Sequence, residues 1–109
     1  MATNDFREII QKISDILTDA CPNEWESIEI AAEISNQYSR FTLTSILDGD
    51  IDSFILSDQQ SMILDDLFRL LQKITKKEEM DYWNETVFII NVNGNFNIDF
   101  RYKDGVADY

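Results

Sequence analysis

The chain reads as an α+β domain, with two helices packed on one face of an antiparallel sheet of about five strands, in the order α-β-β-β-α-β-β. Three observations predict it. Two stretches repeat apolar residues at helical spacing, one near the start and one in the middle. Between them and after them, apolar and polar residues alternate with a period of two. Asn93-Gly94 separates the last two alternating runs and marks a hairpin.

The first helix is expected over residues 5–20. Phe6, Ile9, Ile10, Ile13, Leu17 and Ala20 form one apolar stripe. Asn4 is a fitting N-cap, Asp5 and Glu8 suit the positive end of the helix dipole, and Pro22 stops the helix. Residues 25–35 change period. Ile28, Ile30, Ala32 and Ile34 point one way, and Glu29, Ala31, Glu33 and Ser35 the other. Asn36-Gln37 is a turn, and residues 38–47 alternate again, with Phe41, Leu43, Ser45 and Leu47 on one face. Asp48-Gly49-Asp50 reads as a second turn, since Gly supplies positive φ and Asp bonds its own backbone. Ile51 to Leu56 is then a third strand, completing an antiparallel meander.

Ser57-Asp58-Gln59-Gln60 has the capping-box pattern and opens the second helix. Ile63, Leu64, Leu67, Phe68, Leu70, Leu71 and Ile74 give it a broad apolar face, and Lys73, Lys76 and Lys77 gather at its negative end. Residues 78–85 form a polar connection. The hairpin runs Thr86–Val92 and Asn95–Tyr102. A two-residue loop would place Val87, Ile89 and Asn91 beside Phe96, Ile98 and Phe100; a three-residue loop would place Phe88, Ile90 and Val92 there. Either way the first strand is apolar on both sides, so it belongs in the sheet interior or under cover. Residues 103–109 are polar and expected to fray.

At 109 residues, with 44% hydrophobic and thirteen aromatic residues, the chain suits a single domain over residues 1–109, with one modest core. The composition narrows the chemistry. There is no His, hence no Ser-His or Cys-His pair and no imidazole metal ligand. The single Cys21 excludes an internal disulfide, suits a reducing compartment, and is expected as a small buried hydrophobe. Asp48-Gly49-Asp50-Ile51-Asp52 departs from a calcium loop, because its glycine is misplaced and no Glu follows at the twelfth position. The adjacent carboxylates Asp65-Asp66 need a cleft to do acid–base work, and a chain this small has little room for one. The sequence therefore predicts no enzyme, no cofactor and no metal. Trp25 and Trp83 read as core, with Tyr82 and Trp83 worth testing as contacts if exposed. With no basic, apolar leader and no apolar run of membrane length, the expected location is the cytoplasm, with no membrane partner.

Charge is the most informative feature. The net charge is −12. From Ile13 to Phe68, twelve acids stand against one base, Arg40, a net of −11; nine acids and eight bases elsewhere leave −1. Such a domain repels nucleic acid and attracts cationic surfaces. One reading of this excess is a well-solvated surface that keeps the protein soluble. The sharper reading is an acidic face made to meet a basic protein.

The residue pattern resembles the YezG-like immunity proteins and antitoxins of bacteria. Four segments carry the likeness, which spans nearly the whole chain. The amphipathic first helix ends in Pro22-Asn23-Glu24-Trp25-Glu26. The strand Ile28–Ile34 follows directly, with Ala32-Glu33 in register. A Leu- and Phe-rich helix is followed about ten residues on by Trp83. The close, Asn93-Gly94-Asn95-Phe96-Asn97-Ile98-Asp99-Phe100-Arg101-Tyr102-Lys103-Asp104, is similar to the family's D-G-K-F-x-x-D-F-x-Y-x-D hairpin and is the most specific of the four. Asn93 and Asn95 stand where an acid and a lysine are common. Many relatives continue into a further aromatic segment beyond the position of Tyr109.

The resemblance implies a cytoplasmic protein that binds and neutralises a cognate toxin, usually the nuclease domain of a delivered effector. The charge points the same way, because a nuclease needs a basic surface to hold phosphates. The partner contacts are expected at Glu29, Glu33, Asp48, Asp50 and Asp52, with Tyr38 as an aromatic anchor and the free form a monomer. Two other readings stay open: an acidic, non-catalytic adapter for a host protein, and a small enzyme.

Overall fold

The computed structural model describes residues 6–22, 24–76 and 82–102. Its elements follow the expected order: helix α1 (Phe6–Ala20), strands β1 (Ser27–Ile34), β2 (Ser39–Leu47) and β3 (Asp50–Phe54), helix α2 (Asp58–Thr75), and strands β4 (Glu85–Asn91) and β5 (Phe96–Arg101). All pairings are antiparallel, in the order β3-β2-β1-β4-β5. The middle strand is therefore β1, and β4 inserts between it and β5. That interior place is what the doubly apolar sequence of β4 asks for.

Both helices pack on one face of the sheet. From α1 come Ile9, Ile10, Ile13 and Leu17, and from α2 come Leu64, Phe68 and Leu71, all buried. They meet Ile28, Ile30, Ala32 and Ile34 of β1, Leu43 of β2, Phe54 of β3, and Phe88 and Ile90 of β4 in a single cluster. Burying such side chains contributes about 1.5–3 kcal/mol each. Ile63, read from the sequence as part of the apolar face of α2, lies at its margin and is exposed. The α2 start is as expected. The Ser57 side chain accepts from the Gln60 N–H at 3.1 Å, and the Gln60 side chain accepts from the Ser57 N–H at 2.9 Å.

The turns account for the differences from the sequence reading. Asp48 (φ 52) and Gly49 (φ 83) form the whole β2–β3 connection, so Asp50 belongs to the strand rather than the turn. Two positive-φ residues give a hairpin turn whose twist matches the strands it joins. Starting one residue early, β3 also ends early: Ile55 and Leu56 lie outside it, and Ile55 is exposed. Ser35 does not continue the wet face of β1. It is buried, and its Oγ accepts from the N–H groups of Gln37 and Tyr38, both at 3.2 Å, to close the β1–β2 turn.

The last hairpin takes the three-residue alternative, Val92-Asn93-Gly94. Asn91 N–H donates to the Asn95 carbonyl at 2.8 Å, and Gly94 adopts φ +94. Ile90, Phe88 and Thr86 accordingly face Phe96, Ile98 and Phe100. Glu85, assigned from the sequence to the preceding connection, opens β4. Trp83 is core, as expected. Its Nε1 donates to Thr75 Oγ1 at 2.8 Å, and its ring stacks on Phe100 at 4.9 Å. Cys21 is half-buried rather than enclosed, because it lies just beyond the end of α1. The expectations for Asn4, Asp5, Asn23, Lys77, residues 78–81 and residues 103–109 fall outside the described residues.

Candidate functional site

The cross-strand register decides which acids share a surface. Along β1, Glu29 and Glu33 alternate with the buried isoleucines, so they lie on the face away from the helices. In β3, Asp52 sits opposite Ser45, which sits opposite Ile28. Asp50 and Asp52 therefore point to the helix side of the sheet edge. The acidic residues expected at the contact are thus two groups on opposite sides of the sheet. A period of two and a two-residue turn leave no other outcome.

Each expected contact has its own surroundings. Glu33, half-buried, pairs with Arg40 on β2 at 3.2 Å. The Arg40 guanidinium also lies 5.4 Å from the centre of the Tyr38 ring. Tyr38 is half-buried at the β1–β2 turn, and its carbonyl accepts from Arg69 Nη2 at 3.4 Å. Arg69 in turn meets both carboxylate oxygens of Asp65 through Nε, at 3.0 and 3.1 Å. Glu33 and Tyr38 are therefore brought together through Arg40. Asp48, Asp50 and Asp52 are exposed and have no ion-pair partner among the described residues. The Asp48 N–H donates to the Glu26 carboxylate at 2.6 Å, which fixes the turn against the start of β1.

Other residues belong to this surface that the charge argument passes over. The helix-free face carries Glu85 and Arg101, paired at 3.8 Å, together with Asp99, Ala31, Val87 and Ile89. The signal for the last three was the apolar outward register of β1 and β4. Trp83 is fully buried and leaves the list of contacts to test, whereas Tyr82 is 49% exposed. A groove of about 640 Å³ lies between α1 and the β4–β5 hairpin, with Phe6, Ile10, Trp25 and Phe96 in its walls and none of the six expected contact residues.

Among the described residues, no three His, Cys, Asp or Glu side chains gather to hold a metal ion, and no helix is long and apolar enough to cross a membrane.

Comparison with known proteins gives two findings. A family model described as immunity protein YezG-like matches residues 48–109. A protein of Bacillus spizizenii named Immunity protein YezG is 25% identical, over 98% of this chain and 74% of its own length.

Proposed function

The chain belongs to the YezG-like immunity protein family, and from that premise we propose that it binds and neutralises a cognate toxin, a nuclease effector domain, through its acidic surface. The match over residues 48–109 is the observation that carries this reading. The charge supports the nuclease part. A nuclease holds phosphates with Lys and Arg, and a −12 protein is drawn to such a surface. Complementary potentials steer encounter and raise the association rate, and close contact with the basic groups then denies them to nucleic acid. Glu29, Glu33, Tyr38, Asp48, Asp50 and Asp52 are the proposed contacts, split between the open sheet face and its β3 edge. The protein acts in the cytoplasm, as a monomer before binding, and works by occupancy rather than catalysis.

Two measurements test this. Co-expression with the toxin encoded beside it restores growth; continued killing despite a folded, soluble product overturns the immunity reading. In a titration, inhibition is stoichiometric, and denaturing and separating the complex returns active toxin. Progressive, substoichiometric and irreversible loss of toxin activity would mean that the chain modifies its target.

A further inference from the structure

Antiparallel sheets with one covered face normally alternate apolar-in and polar-out. This sheet breaks the rule at its centre. Ala31 of β1 lies opposite Val87 of β4, and Ile89 of β4 lies opposite Glu29 of β1, all on the helix-free face. Ala31, Val87 and Ile89 are only half-buried, and none of them joins the cluster under the helices. They add nothing to that core, yet they keep apolar side chains next to water.

The charges around them are arranged on the same register. Glu29 flanks Ile89 on one side, and Asp99 of β5 flanks Val87 on the other. Neither carboxylate has an ion-pair partner among the described residues. One end of the strip is closed by a row across four strands, Arg40, Glu33, Glu85 and Arg101, in which each arginine is paired with its neighbouring glutamate. Thr42, Thr44 and Asn97 complete the surround, and an apolar centre inside a polar, partly charged rim is the anatomy of a protein interface.

We infer that this helix-free face is where the toxin docks, its occupant a basic patch of the toxin that seats an apolar side chain on Ala31, Val87 and Ile89 while its cations meet Glu29 and Asp99. The inference rests on the immunity reading above. Charge complementarity selects this occupant. On the outward positions of the face, four carboxylates stand against two guanidiniums, both engaged, so a second copy of a −12 chain meets repulsion there.

The test compares two double charge reversals with equal change in net charge. Glu29→Lys with Asp99→Lys alters the face, and Asp19→Lys with Asp66→Lys alters the helix layer. The probe is the inactivated toxin domain encoded beside this chain. The face variant lowers the association rate about tenfold or more at low salt and flattens its salt dependence, whereas the helix variant changes it less than about twofold. Val87→Ser with Ile89→Ser speeds dissociation about tenfold or more. If that variant does not fold, hydroxyl-radical footprinting of the unmodified complex shows Val87 and Ile89 protected. Equal effects of the two charge reversals, or unprotected Val87 and Ile89, overturn the inference while leaving toxin binding intact. A homodimer that the serine variant disperses also overturns it, since the occupant is then a second copy. Failure of the unmodified chain to bind overturns the immunity reading and this one with it.

Discussion

Glu33 and Glu85 are direct cross-strand partners on adjacent central strands, and each holds an arginine on its outer side, Arg40 at 3.2 Å and Arg101 at 3.8 Å. Like charges placed opposite one another destabilise a sheet, so the two arginines offset a repulsion as well as forming ordinary surface pairs. Replacing both by Ala lowers stability by about 0.5–1 kcal/mol at low salt, because the arginines are well exposed. Adding Glu85→Gln to that variant recovers most of the loss. Urea unfolding at two salt concentrations measures both effects, and a loss unchanged by Glu85→Gln would refute the repulsion account.

Trp83 is fixed from three directions. Besides the Thr75 hydrogen bond and the Phe100 stack, its carbonyl accepts from Gln72 Nε2 at 2.6 Å. Trp83→Ala removes a fully buried indole and costs about 3–5 kcal/mol. Thr75→Val leaves the ring in place but strands a buried N–H, at about 1–3 kcal/mol. Thermal unfolding should rank the two in that order.

Neutralising the β3 edge separates charge from fold. Asp48 occupies the left-handed region, where Asn is as well suited as Asp. The triple change Asp48→Asn, Asp50→Asn, Asp52→Asn therefore keeps stability within about 0.5 kcal/mol. It slows association with the toxin and reduces the salt slope, because exposed rim charges act mainly on encounter. An unchanged rate would remove this edge from the proposed contacts.

Gly94 has φ +94, with open space where a Cβ would stand. Gly94→Ala meets no steric neighbour, so its cost of about 1–2 kcal/mol comes from the backbone alone. Loss of the Ser57 cap by Ser57→Ala costs about 1 kcal/mol. The two sites are far apart in sequence and share no hydrogen-bond partner, so the double variant should show additive losses in chemical denaturation.

Local signals carried most of the fold. The α1 stripe, the Ser57–Gln60 capping box and the alternation of Ile28, Ile30, Ala32 and Ile34 each depend on neighbours a few residues away, and each appears where expected. The insertion of β4 beside β1 is a tertiary choice, and periodicity is silent about it. The length of the last loop was ambiguous because both faces of β4, Val87 with Ile89 and Phe88 with Ile90, are apolar. The candidate surface was legible in kind but not in layout. Counting acids along the chain finds an excess, but whether Glu29 and Asp52 share a face depends on a register set by Gly49 and the Ser45 pairing.

The central place of β1 has a consequence for synthesis. Its pairing with β2 is local and can form soon after residue 47 emerges, but its other edge waits for residues 85–91. Until then a nascent chain displays an unpaired strand with Ile28, Ile30 and Ile34 on one side, a template for any neighbouring strand. Slow translation or truncation ahead of β4 therefore leaves a species prone to aggregate, and the ribosome's progress through residues 85–91 determines when that exposure ends.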